Sequence, residues 1–395
     1  MAAAAAALVP LGILSAVPNR NPFRFLNQTI GSGPDALRSI VINNEQTGEL
    51  LQVVHESGGK TAKLMLKDPS YPVVQDVLEP LTDAAAIRDT ANGIHYAGSI
   101  LAPFANRVAN GSYTFFGKKY YMPRNECSEL RCDALHGFLF NKSLDIIDQS
   151  IYSRPGIFGA SLTLGYEFDG TEPGWPFSAR VRVTYALESG DALPKNLASM
   201  MYITINAVNT MNDSPLPWTT SWHPYFRVAD VSAAPVLFDN CNGSKWRHLI
   251  TGPGAPRKGD LIPTGKSEPW SKYDGSDTSI GGTSDLPTYY DDEFKSTLPD
   301  HQPRPSSCAF HPITGDPPMY NVIVNRIGNI MLAGERMAFR TWQVFTGAKE
   351  GWGWDAIALE PMSGLADAYN NGDGLTVLNP GEEFEATFAV QLHKP

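Results

Sequence analysis

The sequence predicts an all-β sandwich, and three features of the 395-residue chain support this fold class. Apolar and polar residues alternate with a period of two in several segments, which gives each predicted strand one apolar face. Gly and Pro are abundant, with 35 and 31 residues, whereas charged residues make up only 18% of the chain. This composition favours short strands joined by tight turns over long, solvated helices. Long runs with the 3.6-residue period of a helix are nearly absent.

The clearest alternation occurs in three segments that lie far apart in the chain. Their apolar positions are Leu162, Leu164, Tyr166 and Phe168; Val181, Val183, Tyr185 and Leu187; and Ala386, Phe388, Val390 and Leu392. A hairpin is predicted over Tyr113–Met122, with its turn around Gly117-Lys118. Short helices are expected only near Asp83–Asp89 and near Ala366–Tyr369.

One domain is expected over residues 21–395, because a broad all-β sandwich of this length can form a single core. Residues 1–20 are expected to be a signal peptide or a disordered N-terminus, since the first part is apolar and uncharged although it lacks a positive n-region. Residues 252–318 are rich in Gly, Pro, Ser and Asp, which predicts long loops. Five N-x-S/T sequons favour secretion over a cytoplasmic location, although such sequons also arise by chance.

Charge and motif content argue against several classes of function. Lys and Arg total 31 against 41 Asp and Glu, and the resulting formal charge of -10 repels nucleic acid. No later apolar run approaches the roughly 18 residues of a membrane span. The sequence has no H-E-x-x-H, no paired CxxC, no G-x-S-x-G and no dinucleotide fingerprint. We therefore expect no metal and no cofactor, a neutral small molecule as the partner, and a monomer or a weak homodimer.

Four cysteines are too few to suggest a disulfide scaffold. Cys127 and Cys132 lie close enough in a loop-like stretch to close a small disulfide, whereas Cys241 and Cys308 have no local partner. A single Cys127–Cys132 bond and four unpaired thiols are both compatible with the sequence.

Polar side chains of catalytic type occur beside strand-like sequence in several segments. These segments are Ala102–Gly111, Ala134–Gly137, Trp218–Phe226 and Ala356–Gly364. From residue chemistry alone, Glu360 is more often an ordinary strand-end carboxylate, and His223 is more often a hydrogen-bonded core histidine. The order of these segments along the chain is the feature that indicates a function.

In that order and spacing the segments resemble the aldose 1-epimerase (galactose mutarotase) family. The resemblance rests on Asn106-Arg107-Val108, Leu135-His136-Gly137, His223-Pro224-Tyr225-Phe226 and Leu359-Glu360-Pro361. It extends over Gly48–Leu392 and implies a large antiparallel β-supersandwich, in agreement with the alternation. It also implies an isomerase that interconverts the α and β anomers of a free aldohexose such as glucose or galactose, without a cofactor.

The resemblance assigns Glu360 as the general base at the C1 hydroxyl and His223 as the general acid at the ring oxygen. Opening a pyranose needs both groups, because one proton leaves the C1 hydroxyl while another reaches the ring oxygen. Closing the ring after rotation about the C1–C2 bond reverses the two transfers and gives the other anomer.

Four further residues are assigned to sugar binding by the same resemblance: Asn106, Arg107, His136 and Asp291. A guanidinium can donate several hydrogen bonds to sugar oxygens, and an imidazole can support charge near the ring oxygen. Asp291 fits the Asp-x-x-Phe setting of the family, although a solvated acidic cluster is an alternative. The sequence gives no reason to assign a role to Gln343.

Three alternatives remain open from the sequence. A hexose-6-phosphate mutarotase would need a cluster of cations around the phosphate. A glycoside hydrolase would need two opposed carboxylates, for which Asp291 and Glu360 are the only available pair. A non-catalytic carbohydrate-binding protein would keep the sugar site alone.

Trp222 stands before His223 where the family has Asn, and this departure bears on the choice of substrate.

Overall fold

The structure is a computed structural model of the chain. It describes residues 20–69, 73–193, 197–231, 236–238, 246–253, 259–269, 291–296, 320–324, 329–334, 338–339, 341–347 and 353–393. The expected signal peptide, much of the predicted loop region and two of the cysteines, Cys241 and Cys308, lie outside the described residues. Among the helices that are described, none is long and apolar enough to cross a membrane.

The α-helices within the described residues are short, as the sequence predicts. They are α1 (Ala84–Arg88), α2 (Thr90–Gly93) and α3 (Ala368–Asn371). Asp83 caps α1, because its carboxylate accepts hydrogen bonds from the N–H groups of Ala85 at 2.9 Å and Ala86 at 3.3 Å. The helix α2 has no counterpart in the prediction, and α3 begins two residues later than the expected turn.

Strands account for most of the remaining described structure. In the first part of the chain they are β1 (Phe23–Ile30), β2 (Leu37–Asn44), β3 (Leu50–Val54), β4 (Lys60–Lys67), β5 (Val74–Asp76), β6 (Ile100–Leu101), β7 (Arg107–Val108), β8 (Ser112–Phe115), β9 (Lys118–Tyr121), β10 (Glu126–Cys127), β11 (Cys132–Leu135), β12 (Asp145–Arg154), β13 (Ile157–Asp169) and β14 (Ser178–Ser189). In the second part they are β15 (Ser199–Asn209), β16 (Leu216–Trp218), β17 (Ser221–Trp222), β18 (Tyr225–Arg227), β19 (Val236–Phe238), β20 (Trp246–Thr251), β21 (Pro263–Pro269), β22 (Asp291–Ser296), β23 (Tyr320–Val324), β24 (Asn329–Gly334), β25 (Thr341–Phe345), β26 (Ala356–Met362), β27 (Thr376–Leu378) and β28 (Glu383–His393).

Antiparallel pairing assembles most of these strands into three large sheets. The strands β1 to β5 form a five-stranded meander. One eight-stranded sheet has the order β12-β13-β14-β15-β28-β24-β23-β19. A second eight-stranded sheet follows the order β21-β20-β22-β25-β26-β17-β6, with β18 paired to β26. This large antiparallel architecture confirms the fold class predicted from the sequence.

The predicted alternation places side chains in the core between the sheets. Val181 and Val183 on β14, and Phe388 on β28, are fully buried. Trp222 also belongs to this core, since its ring stacks on Phe388 with a centroid distance of 5.2 Å. Its indole N–H donates to Thr61 Oγ1 at 3.1 Å. The residue before His223 is therefore a core tryptophan, and it does not line the sugar-sized cavity described below.

Two predicted segments differ in detail from the structure. The hairpin of β8 and β9 forms as expected, but its turn residues are Phe116-Gly117, one position earlier than predicted. The region predicted as long loops contains two strands, β21 and β22, within the second eight-stranded sheet. The prediction was wrong there because buried polar residues of β22, such as Glu293 and Ser296, hide the apolar alternation.

Candidate active site

The register of the second eight-stranded sheet brings Glu360 and His223 together. On β26, Ile357 and Leu359 face the main core, so alternation turns Glu360 to the opposite face. Ser221 on β17 pairs with Met362, and β18 pairs with the other end of β26, so His223 lies between the two pairings and opposite Glu360. The Nε2 atom of His223 is 3.3 Å from Oε1 of Glu360, and each residue is only 2% exposed.

A cavity of about 250 Å³ opens beside these two side chains. This volume lies near the lower end of the roughly 300–1,000 Å³ found for small-molecule sites, which suits a single sugar ring. All six residues predicted to act in catalysis or sugar binding line it. The lining consists of His95, Asn106, Arg107, Glu126, Arg131, Leu135, His136, His223, Asp291, Gln343, Phe345, Gly347 and Glu360.

Burial sets the protonation of the two central groups. It raises the pKa of Glu360 well above its usual value of 4.5, and the nearby charge of Asp291 adds to the rise. It lowers the pKa of His223 well below its usual 6.5, an effect that His95 reinforces. Both shifts disfavour charge, so burial favours a protonated carboxyl group on Glu360 and a neutral imidazole on His223.

Arg107 reaches the cavity from β7, a strand of a small sheet ordered β10-β11-β7. Its Nε donates to Glu126 Oε2 at 2.6 Å and its Nη2 donates to Glu126 Oε1 at 2.8 Å. The Nη2 atom also lies 3.5 Å from Oδ2 of Asp291. Although burial alone lowers the pKa of a guanidinium, these two carboxylates raise the pKa of Arg107. Arg107 is therefore a permanent cation with a fixed orientation.

Asn106 and Gln343 connect Arg107 to the strand that carries Glu360. The Oδ1 atom of Asn106 accepts from Nη1 of Arg107 at 3.1 Å, and its Nδ2 donates to Oε1 of Gln343 at 3.2 Å. Gln343 in turn donates through Nε2 to Oδ1 of Asp291 at 2.6 Å. Gln343 is also paired directly across the sheet with Glu360. The chain of hydrogen bonds fixes the amide of Gln343 on the strand beside that of Glu360.

Strand alternation explains why Asp291, and not its neighbour, faces the cavity. On β22 the next residue, Asp292, points to the other face of the sheet, where its carboxylate lies 2.9 Å from Nε2 of His248. Burial raises the pKa of Asp291, while Arg107 acts in the opposite direction. The choice of Asp291 over Asp292 agrees with this geometry, although Asp291 lies on a strand and not in a loop.

Histidines and a tyrosine pack beside His223. The ring of His136 is 5.3 Å from that of His223 and 4.5 Å from that of Tyr96, measured between centroids. The backbones of His95, Tyr96, Asn106 and His136 all have a positive φ, which non-glycine residues rarely adopt. Such strained positions cluster at functional sites, where the surrounding structure holds them in place.

Three of the groups that line the cavity are also possible ligands of a metal ion. Single donor atoms of His136, His223 and Glu360 all lie within 4.8 Å of one another. Burial lowers the pKa of His136 well below 6.5, so both imidazoles are neutral near pH 7. Their Nδ1 atoms, together with Oε2 of Glu360, have no hydrogen-bond partner within the described part of the chain.

Several residues of the cavity were missed by the sequence analysis. Gln343, Glu126, Arg131, His95 and Phe345 line the cavity beside the predicted residues. Gln343 lies in a strand whose five residues are all buried, so its sequence context does not distinguish it from core. Its pairing with Glu360 is the signal that identifies it, and this signal requires knowledge of the strand register.

Comparisons with known proteins agree with this fold. Residues 39–391 match the sequence model of the aldose 1-epimerase family. Galactose mutarotase of Mus musculus is 29% identical over 150 residues, which cover 37% of this chain and 36% of the mouse protein. The uncharacterized protein YihR of Escherichia coli (strain K12) is 29% identical over 143 residues, which cover 36% of this chain and 40% of that protein. The chain thus aligns with less than half the length of these curated relatives.

Solved structures show the same architecture. The crystal structure of an aldose epimerase homologue from C. elegans has a TM-score of 0.63 and 16% sequence identity to this chain. The similarity covers 94% of this chain and 100% of the C. elegans chain. The protein therefore has the fold of the aldose epimerases, as the sequence predicts. More specifically, because the family match spans most of its length, the chain belongs to the aldose 1-epimerase family.

Proposed function

We propose that the protein interconverts the α and β anomers of a free aldohexose of the glucose or galactose type by general acid-base catalysis. The observation that carries the proposal is the 3.3 Å approach of His223 Nε2 to Glu360 Oε1 at the wall of a cavity that suits one sugar ring. The two oxygens that exchange protons, O1 and the ring oxygen, are both bonded to C1. An acid and a base that lie side by side can therefore serve both oxygens from one edge of the ring.

The reaction begins from the form of the pair that holds one proton, on Glu360. Transfer of this proton from Glu360 to His223 creates a carboxylate and an imidazolium without changing the net charge of the pair. Glu360 then removes the proton from the C1 hydroxyl, while His223 delivers its proton to the ring oxygen as the bond from C1 to that oxygen breaks. The product is the open-chain aldehyde. Rotation about C1–C2 and the reverse transfers give the other anomer.

Polar groups around the pair would hold the sugar hydroxyls. Arg107 can donate a hydrogen bond, Asp291 can accept one, and the amide of Gln343 lies between Asp291 and the catalytic strand. His136, neutral because burial lowers its pKa, would lie near the ring oxygen. These groups act without net transfer of protons, so their role is to orient C1 toward Glu360 and His223.

The charges of the cavity favour an unphosphorylated sugar. Two guanidinium groups line it, Arg107 and Arg131, and both already bind Glu126. Arg107 also faces Asp291. A phosphate group would have to compete with these carboxylates for the same N–H donors, whereas a neutral hydroxyl needs only one of them.

Polarimetry on a panel of sugars tests the proposal. Freshly dissolved α-glucose, α-galactose and glucose 6-phosphate are followed to equilibrium with and without the protein. The proposal predicts faster equilibration of at least one free hexose, and a smaller acceleration for the phosphate ester. Preferential acceleration of glucose 6-phosphate would reverse the substrate assignment, and equilibration of every sugar at the rate seen in buffer would contradict the function.

A further inference from the structure

A small disulfide-closed hairpin forms one edge of the cavity. Its strands β10 and β11 are joined by a turn in which Ser128 donates from its N–H to the carbonyl oxygen of Arg131 at 2.7 Å. A disulfide bond joins Cys127 and Cys132, which face each other across the hairpin. This pair is next to the one formed by Glu126 and Asp133. Cys127 is exposed, so the bond is accessible from solvent. The sequence alone was compatible both with this bond and with four unpaired thiols.

Glu126, at the base of this hairpin, binds both arginines of the cavity. Its Oε2 accepts from Arg107, and its Oε1 accepts from Arg107 and from Arg131, each at 2.8 Å. The side chains of the arginines are 8% exposed and that of Glu126 is 19% exposed. Although burial acts to raise it, the two guanidinium groups lower the pKa of Glu126 to about 2. Glu126 is therefore a fixed anion at any pH near neutral.

This arrangement determines what Arg107 can offer to a ligand. Its Nε and one hydrogen of Nη2 point to Glu126, the other hydrogen of Nη2 faces Asp291, and Nη1 donates to Asn106. Within the described residues, one N–H on Nη1 is left to bind a sugar oxygen. A paired, bidentate guanidinium keeps a single orientation, whereas a guanidinium without Glu126 could rotate and would carry an unbalanced charge.

We infer that Glu126 is a positioning and specificity-determining residue of the sugar site. It holds Arg107 in the orientation that binds a sugar hydroxyl. It also occupies N–H donors of Arg107 and Arg131 and offsets part of their charge, so that the two arginines do not act together as an anion clamp. The Cys127–Cys132 bond keeps Glu126 within reach of both arginines. The identity of the ligand as a sugar rests on the proposed function, whereas the exclusion of anions does not depend on catalysis.

Kinetics of Glu126 variants test the positioning role. Glu126→Gln removes the charge with little change of shape, and Glu129→Gln removes an exposed carboxylate from the same hairpin as a matched control. Because Arg107 would bind the sugar in the ground state as well as in the transition state, Glu126→Gln should raise KM about 10- to 100-fold while kcat stays within a few-fold. Glu126→Asp keeps the charge at a shorter reach and should raise KM by an intermediate amount. Glu129→Gln should leave both constants unchanged.

Calorimetric titration with inorganic phosphate tests the charge role without any need for activity. Wild type, Glu129→Gln and Glu126→Asp should not bind phosphate measurably, whereas Glu126→Gln should bind it and should be inhibited by it competitively with sugar. A folded Glu126→Gln protein with wild-type KM and no phosphate binding would overturn the inference. If wild type fails to accelerate mutarotation, the proposed function fails, and the phosphate titration still decides the role of Glu126.

The hairpin is tested by removing its disulfide. The double variant Cys127→Ser/Cys132→Ser should raise KM in the same direction as Glu126→Gln. Dithiothreitol should raise the KM of wild type to the value of the double variant and should not change the double variant. An unchanged KM in both the reduced wild type and the double variant would show that the disulfide does not position Glu126.

Discussion

Replacing Glu360 by Gln removes the proposed base and changes little else. The substitution exchanges one carboxyl oxygen for an amide nitrogen in a side chain that is 2% exposed and lies 3.3 Å from His223. An amide cannot accept the proton of the C1 hydroxyl. General base catalysis contributes roughly 10²–10⁴-fold, so kcat should fall by this factor, which corresponds to about 3–5 kcal/mol of activation free energy.

The same variant should fold normally. Because burial raises the pKa of Glu360, the unfolded chain releases its proton more readily than the folded protein does, and the ionised carboxyl therefore opposes folding above pH 4.5. A glutamine of the same size lacks this effect, so the melting temperature at neutral pH should be equal to or higher than that of wild type.

Polarimetry with α-galactose or α-glucose, together with thermal unfolding, measures both quantities. Glu49→Gln is a matched control, since Glu49 is also buried with a raised pKa but does not line the cavity. It should retain wild-type activity. Near-normal turnover by a well-folded Glu360→Gln protein would refute the assignment of Glu360 as the base.

Further predictions concern pH, sugar binding and stability. The pH profile of kcat/KM should be bell-shaped, because activity requires one proton on the pair of Glu360 and His223. Its acid limb should lie below pH 6.5 and its alkaline limb above pH 4.5, as measured by polarimetry across pH. Gln343→Leu should raise KM by about tenfold or more, because it breaks the hydrogen bond to Asp291 in the sugar-binding wall. The pKa of Glu126, lowered from 4.5 to about 2, stabilises the fold above pH 4.5. The difference in unfolding free energy between wild type and Glu126→Gln should therefore shrink by about 3 kcal/mol as pH falls from 4.5 to 2, measured by denaturant titration.

Local sequence patterns predicted the fold well. The alternation at Val181, Val183 and their neighbours reflects a physical requirement that each strand meets by itself, since one face must lie on the core. The cap at Asp83 is similarly local. Where buried positions are polar, as at Glu293 on β22, the pattern fails because the burial depends on partners elsewhere in the chain.

The site was predicted only in part, for a related reason. Arg107, His223 and Glu360 stand in short segments whose order along the chain resembles the aldose 1-epimerase family. Gln343 and Glu126 lack such a signal, because each gains its place through strand pairing. Gln343 is placed by its register with Glu360, and Glu126 by β10, which is joined to the strand of Arg107 through β11. Such pairings join residues that are distant in sequence, and no local pattern of residue types encodes them.

The central claim is that a carboxyl group and an imidazole, placed side by side, move protons at the two oxygens of C1. Proton NMR of the wild-type protein with galactose and with methyl α-galactoside tests this claim most directly. Magnetisation exchange between the α and β anomeric protons of galactose should become faster, while the methyl glycoside, which has no C1 hydroxyl, should be neither epimerised nor cleaved. Unchanged anomer exchange, or release of methanol from the glycoside, would contradict the account.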